Sequence, residues 1–371
     1  MAGENLTTIF NALPQLFESD LQRQWNRTTF LLGELNARKG VSEGKGKNVA
    51  FDVEFSGATA QTVAEGADVQ ASEYNQDIDV PAIAPWATYR SSFQVTESEI
   101  DAAFTSGPQG MPTALQDIFG ARILSCGALI ASQIENDALV GTGVDGSGNP
   151  TIVGIYGGAI AASGAYLGIN PATYSEWAGN VTSNGGTARQ LTPDLLETVD
   201  QNIFTAASIP WNLCMTSAGV LRKYSQFFTS GSAGNNNLPL IRMNDNAGKP
   251  VYGLGVPNDA SGQYDMLMYK GRKMLRNRLN PAGKLALLNT DKIMLKYLPR
   301  TNTSKDIAFL QMLGIEGSSG GAAPIQATGM PMRVAELAKT GDSLKVTMMI
   351  RCQMAVTRRN AQGLLVDILE T

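Results

Sequence analysis

A chain of 371 residues with 43% hydrophobic residues has ample material for a buried core, and its length suggests two domains or one with large excursions. Its 29 Lys plus Arg are offset by 33 Asp plus Glu, a balance that excludes a chain built throughout to bind nucleic acid. Histidine is absent, which removes the commonest general base, the imidazole of a catalytic triad and the commonest zinc ligand together.

No catalytic, cofactor-binding or metal-ligating set is therefore expected. Cys126, Cys214 and Cys352 are odd in number and far apart, so they form neither a disulfide framework nor a CxxC metal site, and a reducing compartment fits. The polar start Ala2-Gly3-Glu4-Asn5 does not read as a signal peptide, and no membrane helix is expected.

Residues 1–48 read as an N-terminal arm. Leu13, Leu16, Phe17, Leu21, Trp25, Phe30 and Leu32 recur at roughly helical spacing, and Gly33, Gly40, Gly44 and Gly46 break the pattern. Residues 49–95 read as a long β-hairpin arm. Its first leg alternates Phe51, Val53 and Phe55 with Asp52 and Glu54; its tip, 57–72, holds small and polar residues. The return leg carries Trp86, Tyr89, Phe93 and Val95, with Pro81 and Pro85 restricting it to an edge or a two-stranded ribbon. A leg of roughly 14 residues at about 3.3 Å each reaches on the order of 45 Å, and an isolated hairpin is marginal in water, so the arm is expected to lie on another molecule.

Charge sharpens that expectation. Residues 51–101 hold ten carboxylates against the single base Arg90, whereas residues 222–305 hold fourteen bases against four acids. The bases are densest at Lys270, Arg272, Lys273, Arg276 and Arg278. This cluster reads as an inter-subunit socket for the acidic arm (Glu65, Asp68, Glu73), as a contact with DNA, or as a solvated strand edge.

Thr96-Glu97-Ser98-Glu99 is a capping box opening a short helix. Pro112 then begins the strongest helix pattern, 112–140, with Leu115, Ile118, Phe119, Ile123, Cys126, Leu129, Ile130, Ile134 and Ala138 at three- and four-residue steps until Gly141-Thr142-Gly143. Thr192-Pro193-Asp194 opens another helix, followed by a strand at 211–215, a helix at 217–228 and short β segments. The C-terminus reads as a strand at 344–356, a turn at 360–363 and a strand at 364–369, favouring a hairpin. The whole is an α+β pattern.

The order of these parts resembles the major capsid proteins of tailed phages, with the Hong Kong 97-like fold, over 49–371. The residues that carry the likeness are Gly141-Thr142-Gly143 continuing to Gly154-Ile155, Leu213-Cys214-Met215-Thr216-Ser217-Ala218 with Leu221, Arg222 and Tyr224, and Arg358-Arg359-Asn360-Ala361. The resemblance implies an N-terminal arm (1–48), an extended hairpin or E-loop (49–95), a peripheral domain (96–190) with a spine helix, an axial domain (191–340) and C-terminal strands (341–371) returning to the peripheral domain.

It further implies a non-enzymatic subunit of hexamers and pentamers, forming an icosahedral head around double-stranded DNA held without sequence specificity. Portal protein is an implied partner, with scaffolding or decoration proteins also plausible; assembly in the host cytoplasm and residence in the virion capsid follow. Phe51, Val53, Phe55, Glu65, Asp68, Glu73, Trp86, Tyr89, Phe93, Arg272, Lys273, Arg276 and Arg278 are the candidate inter-subunit contacts. One departure matters: no lysine occurs from 48 to 222, so the arm cannot supply the amine of the family's isopeptide crosslink. An encapsulin-type compartment shell is the alternative on the same fold.

Two motifs are decoys. Gly141 to Gly146 matches GxGxxG, but a helix precedes it and a loop follows, the reverse of a dinucleotide site. Gly317-Ser318-Ser319-Gly320-Gly321 matches GxSxG in a chain without histidine.

Overall fold

The computed structural model describes residues 29–55, 62, 65, 79–99, 111–229, 253–255, 266–299, 325–327, 330–336 and 343–370, with the side chains of 111–120, 227–229, 253–255, 266, 325–327, 331 and 336 excepted. In chain order these form helix α1 (Phe30–Ala37) and strands β1 (Val41–Glu43), β2 (Asn48–Glu54), β3 (Asp79–Pro85) and β4 (Ala87–Thr96). Helix α2 (Met111–Val140) leads to β5 (Thr142–Val144), β6 (Pro150–Val153), β7 (Asn180–Thr182), helix α3 (Pro193–Ala207), β8 (Leu213–Thr216) and helix α4 (Ala218–Thr229). The remaining strands are β9 (Gly253–Gly255), β10 (Met266–Tyr269), β11 (Arg272–Arg276), β12 (Leu285–Leu288), β13 (Ile293–Tyr297), β14 (Ile325–Ala327), β15 (Met330–Glu336), β16 (Ser343–Val356) and β17 (Gly363–Leu365). The GxSxG loop and the N-terminal helix pattern before residue 29 lie outside the described residues.

The chain divides into two compact units. One comprises Thr88–Glu135 and Tyr297–Arg351. Here α2 follows most of its sequence pattern: Ile123, Cys126, Ile130 and Ile134 are buried at three- and four-residue steps, whereas Leu129, counted in the same pattern, is exposed because it falls off that stripe. Gly127 brings the helix against the methyl ends of Met332 and Met348, which belong to the antiparallel pair β15 and β16. Thr96, as the capping-box reading requires, donates its backbone N–H to Glu99 Oε2 at 3.0 Å. Arg122 of α2 then clasps Glu99 at 2.6 Å and the carbonyl of Gln94. Burial pushes the Glu99 carboxyl up, but the Thr96 N–H and Arg122 together hold it below its ordinary value. No helix among the described residues is long and apolar enough to cross a membrane.

The other unit comprises Phe30–Ala87, Asn136–Lys296 and Cys352–Thr371. Its centre is a seven-stranded sheet in the order β7-β17-β12-β8-β11-β10-β9. Both α3 and α4 contribute to its core: Leu196, Val199 and Ile203 from α3, Val220, Leu221 and Tyr224 from α4, against Cys214, Met274, Leu285, Leu287 and Leu365 of the sheet. Thr192 caps α3 by accepting from the Leu195 N–H at 3.3 Å, and Pro193 occupies the first turn.

Two expectations are corrected here. The C-terminal strands do not form a hairpin: β17 pairs antiparallel with β12 and parallel with β7, because a tight turn at Arg359–Ala361 sends the chain into the seven-stranded sheet. Gln362, buried, secures that course by exchanging hydrogen bonds with the backbone of Asn289. Residues 352–371 accordingly group with 136–296 and not with 88–135. Gly33, expected to break the first helix, lies inside α1 with open space beside it.

Gly141 does end α2 as a packing requirement. A Cβ there would lie 2.2 Å from the backbone oxygen of Ile152 and 2.6 Å from that of Asp137. Both contacts are with backbone, so relief requires moving the chain. We expect Gly141→Ala to destabilise the protein by roughly 1–3 kcal/mol while Gly146→Ala, in open space, stays near wild type, as read by the thermal unfolding midpoint.

Candidate assembly surface

Strands β2 and β3 form an antiparallel ribbon of seven residue pairs, from Asn48 opposite Pro85 to Glu54 opposite Asp79. Because side chains alternate, Val49, Phe51 and Val53 share one face with Val80, Ala82 and Ala84, while Asp52, Glu54 and Asp79 share the other with Pro81 and Ile83. The first face is buried or half-buried; on the second, Asp52, Glu54, Asp79 and Ile83 are exposed. Glu54 and Asp79 stand directly opposite each other, a like-charge pair that weakens the ladder.

The ribbon is rooted on its own chain, which corrects the expectation that the arm has no packing surface of its own. The Ile83 N–H donates to the Leu167 carbonyl at 2.9 Å. Gln353 donates to the Pro85 carbonyl at 2.7 Å. Phe55 stacks on Tyr174 at a 4.4 Å centroid distance and meets Trp177 edge-on at 5.9 Å. Trp86 donates its indole N–H to the Gly46 carbonyl at 3.0 Å, and only glycine fits at 44, where a Cβ would lie 2.3 Å from the Trp86 ring.

The return leg is also shorter than expected. After Trp86 the chain leaves the ribbon, and β4 pairs with β16 instead. Tyr89 and Val95 are buried there and Phe93 half-buried, so Tyr89 belongs to the fold of its own subunit. Of the tip carboxylates only Glu65 falls within the described residues, exposed at a turn; Asp68 and Glu73 do not.

The basic cluster is divided rather than gathered. Strand β11 is internal to its sheet, between β8 and β10, so the strand-edge reading fails. Lys270 contacts Glu197 at 2.5 Å and Asp200 at 2.7 Å, both on α3. Arg272 lies 4.4 Å over the Trp211 ring and 3.9 Å from Asp200, and Lys273 lies 3.7 Å from Glu34 of α1. Partial burial disfavours the Lys270 ammonium, but Asp200 and Glu197 outweigh it and raise its pKa. These three cations tie helices to the sheet. Arg276 and Arg278 are exposed.

A site unsuspected from spacing lies beside the ribbon root. A cleft of about 760 Å³ is lined by Phe51, Phe55 and Trp177, by Arg358 and Arg359, and by Asp52, Glu54 and Glu176. Its buried lining is cationic and aromatic: Arg359 is 0% exposed and Trp177 is 2% exposed. The three carboxylates are exposed.

Arg359 donates from Nε to the Ala159 carbonyl at 2.8 Å and from Nη2 to those of Ala161 at 2.8 Å and Gly158 at 3.2 Å. Its guanidinium sits 5.1 Å from the Tyr166 ring centre and 5.8 Å from that of Trp177. No carboxylate pairs with it among the described residues, and Nη1 finds no partner there. Burial lowers its pKa to about 10, leaving it charged at neutral pH.

The model of the SU10 major capsid protein family matches residues 116–309, more than half of the chain. The chain belongs to the SU10 major capsid protein family. It is a major capsid protein of a phage head and a component of the virion capsid. Among solved structures, the cyanophage A-1(L) capsid asymmetric unit is similar at a TM-score of 0.69 and 18% identity, over 95% of this chain and 96% of that one. The capsid of Myoviridae phage XM1 is similar at 0.51 and 9% identity, over 95% and 96%. The holo-SrpI encapsulin complex from Synechococcus elongatus PCC 7942 is similar at 0.50 and 11%, over 97% and 96%. No curated protein matches. At these identities the structures establish the Hong Kong 97-like fold.

Replacing Arg359 by Met should lower stability by roughly 3–5 kcal/mol, because the carbonyls of Ala159 and Ala161 lose their buried donor. Chemical denaturation of the unassembled subunit measures it; a loss below about 1 kcal/mol would mean that water replaces the guanidinium.

Proposed function

We propose that this major capsid protein self-assembles into the hexamers and pentamers of an icosahedral head enclosing double-stranded DNA, without catalysing a reaction. In this reading the ribbon β2/β3 and the segment between its strands are the E-loop laid across an adjacent subunit. Helix α2 is the spine of the peripheral domain, and the unit containing α3, α4 and the seven-stranded sheet provides the axial domain. The observation that carries it is the acidic segment 56–78, which holds four carboxylates and no base and hangs from a ribbon fixed to its own subunit by Phe55 and Ile83. A rooted arm with a charged, small-residue tip is suited to reach a neighbour without destabilising its own fold.

Many weak contacts closed by symmetry give a shell that comes apart only when several break together. DNA inside is held through phosphate charge, without reading sequence. Portal protein, and scaffolding or decoration proteins, are the expected partners, and assembly takes place in the host cytoplasm. An encapsulin-type compartment shares the fold but encloses protein cargo; extraction of the contents of purified particles separates the two.

Deleting residues 57–72 should leave soluble, folded subunits that form no closed particles in negative-stain microscopy; normal shells from this variant would remove the arm from assembly. Changing Glu65, Asp68 and Glu73 together to Gln should weaken subunit association more at low than at high salt, as followed by light scattering. An equal loss at both ionic strengths would exclude the electrostatic account.

A further inference from the structure

The outward face of the β2/β3 ribbon is exposed along its whole length, from Asn48 opposite Pro85 to Glu54 opposite Asp79. Its charge is gathered at one end. Asp52, Glu54 and Asp79 occupy the distal half, while the half nearer the root presents Ala50 and Ile83, the latter 46% exposed. No ion pair among the described residues reaches the three carboxylates, and no Lys or Arg occurs from 48 to 89. Glu54 and Asp79 therefore repel each other across the ladder, and a cation brought from outside both attracts them and cancels that repulsion.

At the root the charge is reversed. The loop that enters β2 carries Lys45 and Lys47, both exposed and without an ion pair among the described residues. Its shape is fixed: Gly46 takes a φ of +86°, its carbonyl accepts the Trp86 indole N–H at 3.0 Å, and Gly44 lies against the Trp86 ring. The two lysines thus stand on either side of a glycine held by a half-buried aromatic ring, and little freedom is left to lose when they meet a partner.

Because β2 starts at Asn48, loop and ribbon are one piece with opposite charges at its ends. From Asn48 to Glu54 the strand advances roughly 20 Å, which keeps the lysines from Glu54 and Asp79 of their own copy. Between copies the same spacing is an advantage, since the basic end of one piece matches the acidic end of the next. A nucleic-acid strand is a poor occupant of the ribbon face, whose carboxylates repel phosphate.

We infer that loop 44–47 of one copy docks on the outward ribbon face of a second copy, with Lys45 and Lys47 against Asp52, Glu54 and Asp79. The inference rests on the assembly reading above and deepens it by naming a contact within the ribbon itself. The contact is heterologous, joining two different patches head to tail, which is the kind that closes subunits into rings.

The test treats wild-type shells and free subunits with a water-soluble carbodiimide, which couples a carboxylate to an amine only where the two touch, and reads the digested products by mass spectrometry. Shells should yield Lys45 or Lys47 joined to Asp52, Glu54 or Asp79, and free subunits should not. In a second arm, Glu54→Lys with Asp79→Lys should cut the yield of closed particles about tenfold or more, because like charges then face each other across the contact. Adding Lys45→Glu and Lys47→Glu to the same chain should restore the yield. All four positions are exposed, so these chains should fold, as circular dichroism checks.

Shells without the crosslink overturn the contact while leaving the capsid function intact; this is the outcome if the ribbon instead meets Arg276 and Arg278, whose guanidinium groups the reagent does not couple. A folded Glu54→Lys, Asp79→Lys chain that assembles as the wild type does overturns it equally. Wild-type chains that form no shells overturn the assembly reading itself, and the contact with it. Where a variant does not fold, or the four-site chain does not assemble, the wild-type crosslink decides.

Discussion

A single buried guanidinium fixes the last turn of this chain. Arg359 reaches three carbonyls in the segment 158–161 and lies against Tyr166 and Trp177, so the C-terminal turn, the glycine-rich segment after α2 and the aromatic pair are held by one side chain. Tyr166 contributes in turn, since its hydroxyl accepts the Val356 N–H at 3.0 Å, and burial raises its pKa to about 12, keeping it protonated at neutral pH. Removing a charge from water is costly unless the surroundings hydrogen-bond it, and here backbone dipoles and ring faces do what a carboxylate ordinarily would.

The ribbon depends on that arrangement at one remove. Trp177, held against Arg359 and donating its indole N–H to Tyr166, is also the ring that Phe55 meets edge-on. The arm of this major capsid protein is therefore attached to the cluster that Arg359 holds together in its own unit, through side chains and not through the ladder alone. The ion pairs of Lys270, Arg272 and Lys273 serve a different end, binding α1 and α3 to the sheet, so three of the five bases conspicuous in the sequence are engaged within their own subunit.

Local patterns were legible where one force dominates. The three- and four-residue steps of α2, the Thr192-Pro193 start of α3 and the Thr96 to Glu99 box each depend on neighbours in sequence, and each is found within a residue or two of its expected place. The period-2 alternation of Phe51, Val53 and Phe55 correctly indicated one apolar face, but periodicity cannot tell what covers that face, and its own chain does. The departure of β4 from the ribbon and of β17 from β16 was illegible for the same reason: partner choice is a tertiary matter, decided by residues such as Gln362 and Gln353 whose bonds span long stretches of chain. Arg359 was visible only as one of two adjacent arginines before a turn, since nothing in a sequence marks a cation destined for burial without a counterion.

The direct opposition of Glu54 and Asp79 occurs beside the residue that clamps the ribbon, Phe55. Electrostatic repulsion there loosens the strands at the step where ring stacking holds one of them down. A load on the ribbon therefore opens the ladder first at Glu54 and Asp79, while the Phe55 stack and the Ile83 hydrogen bond keep the root seated on its own subunit.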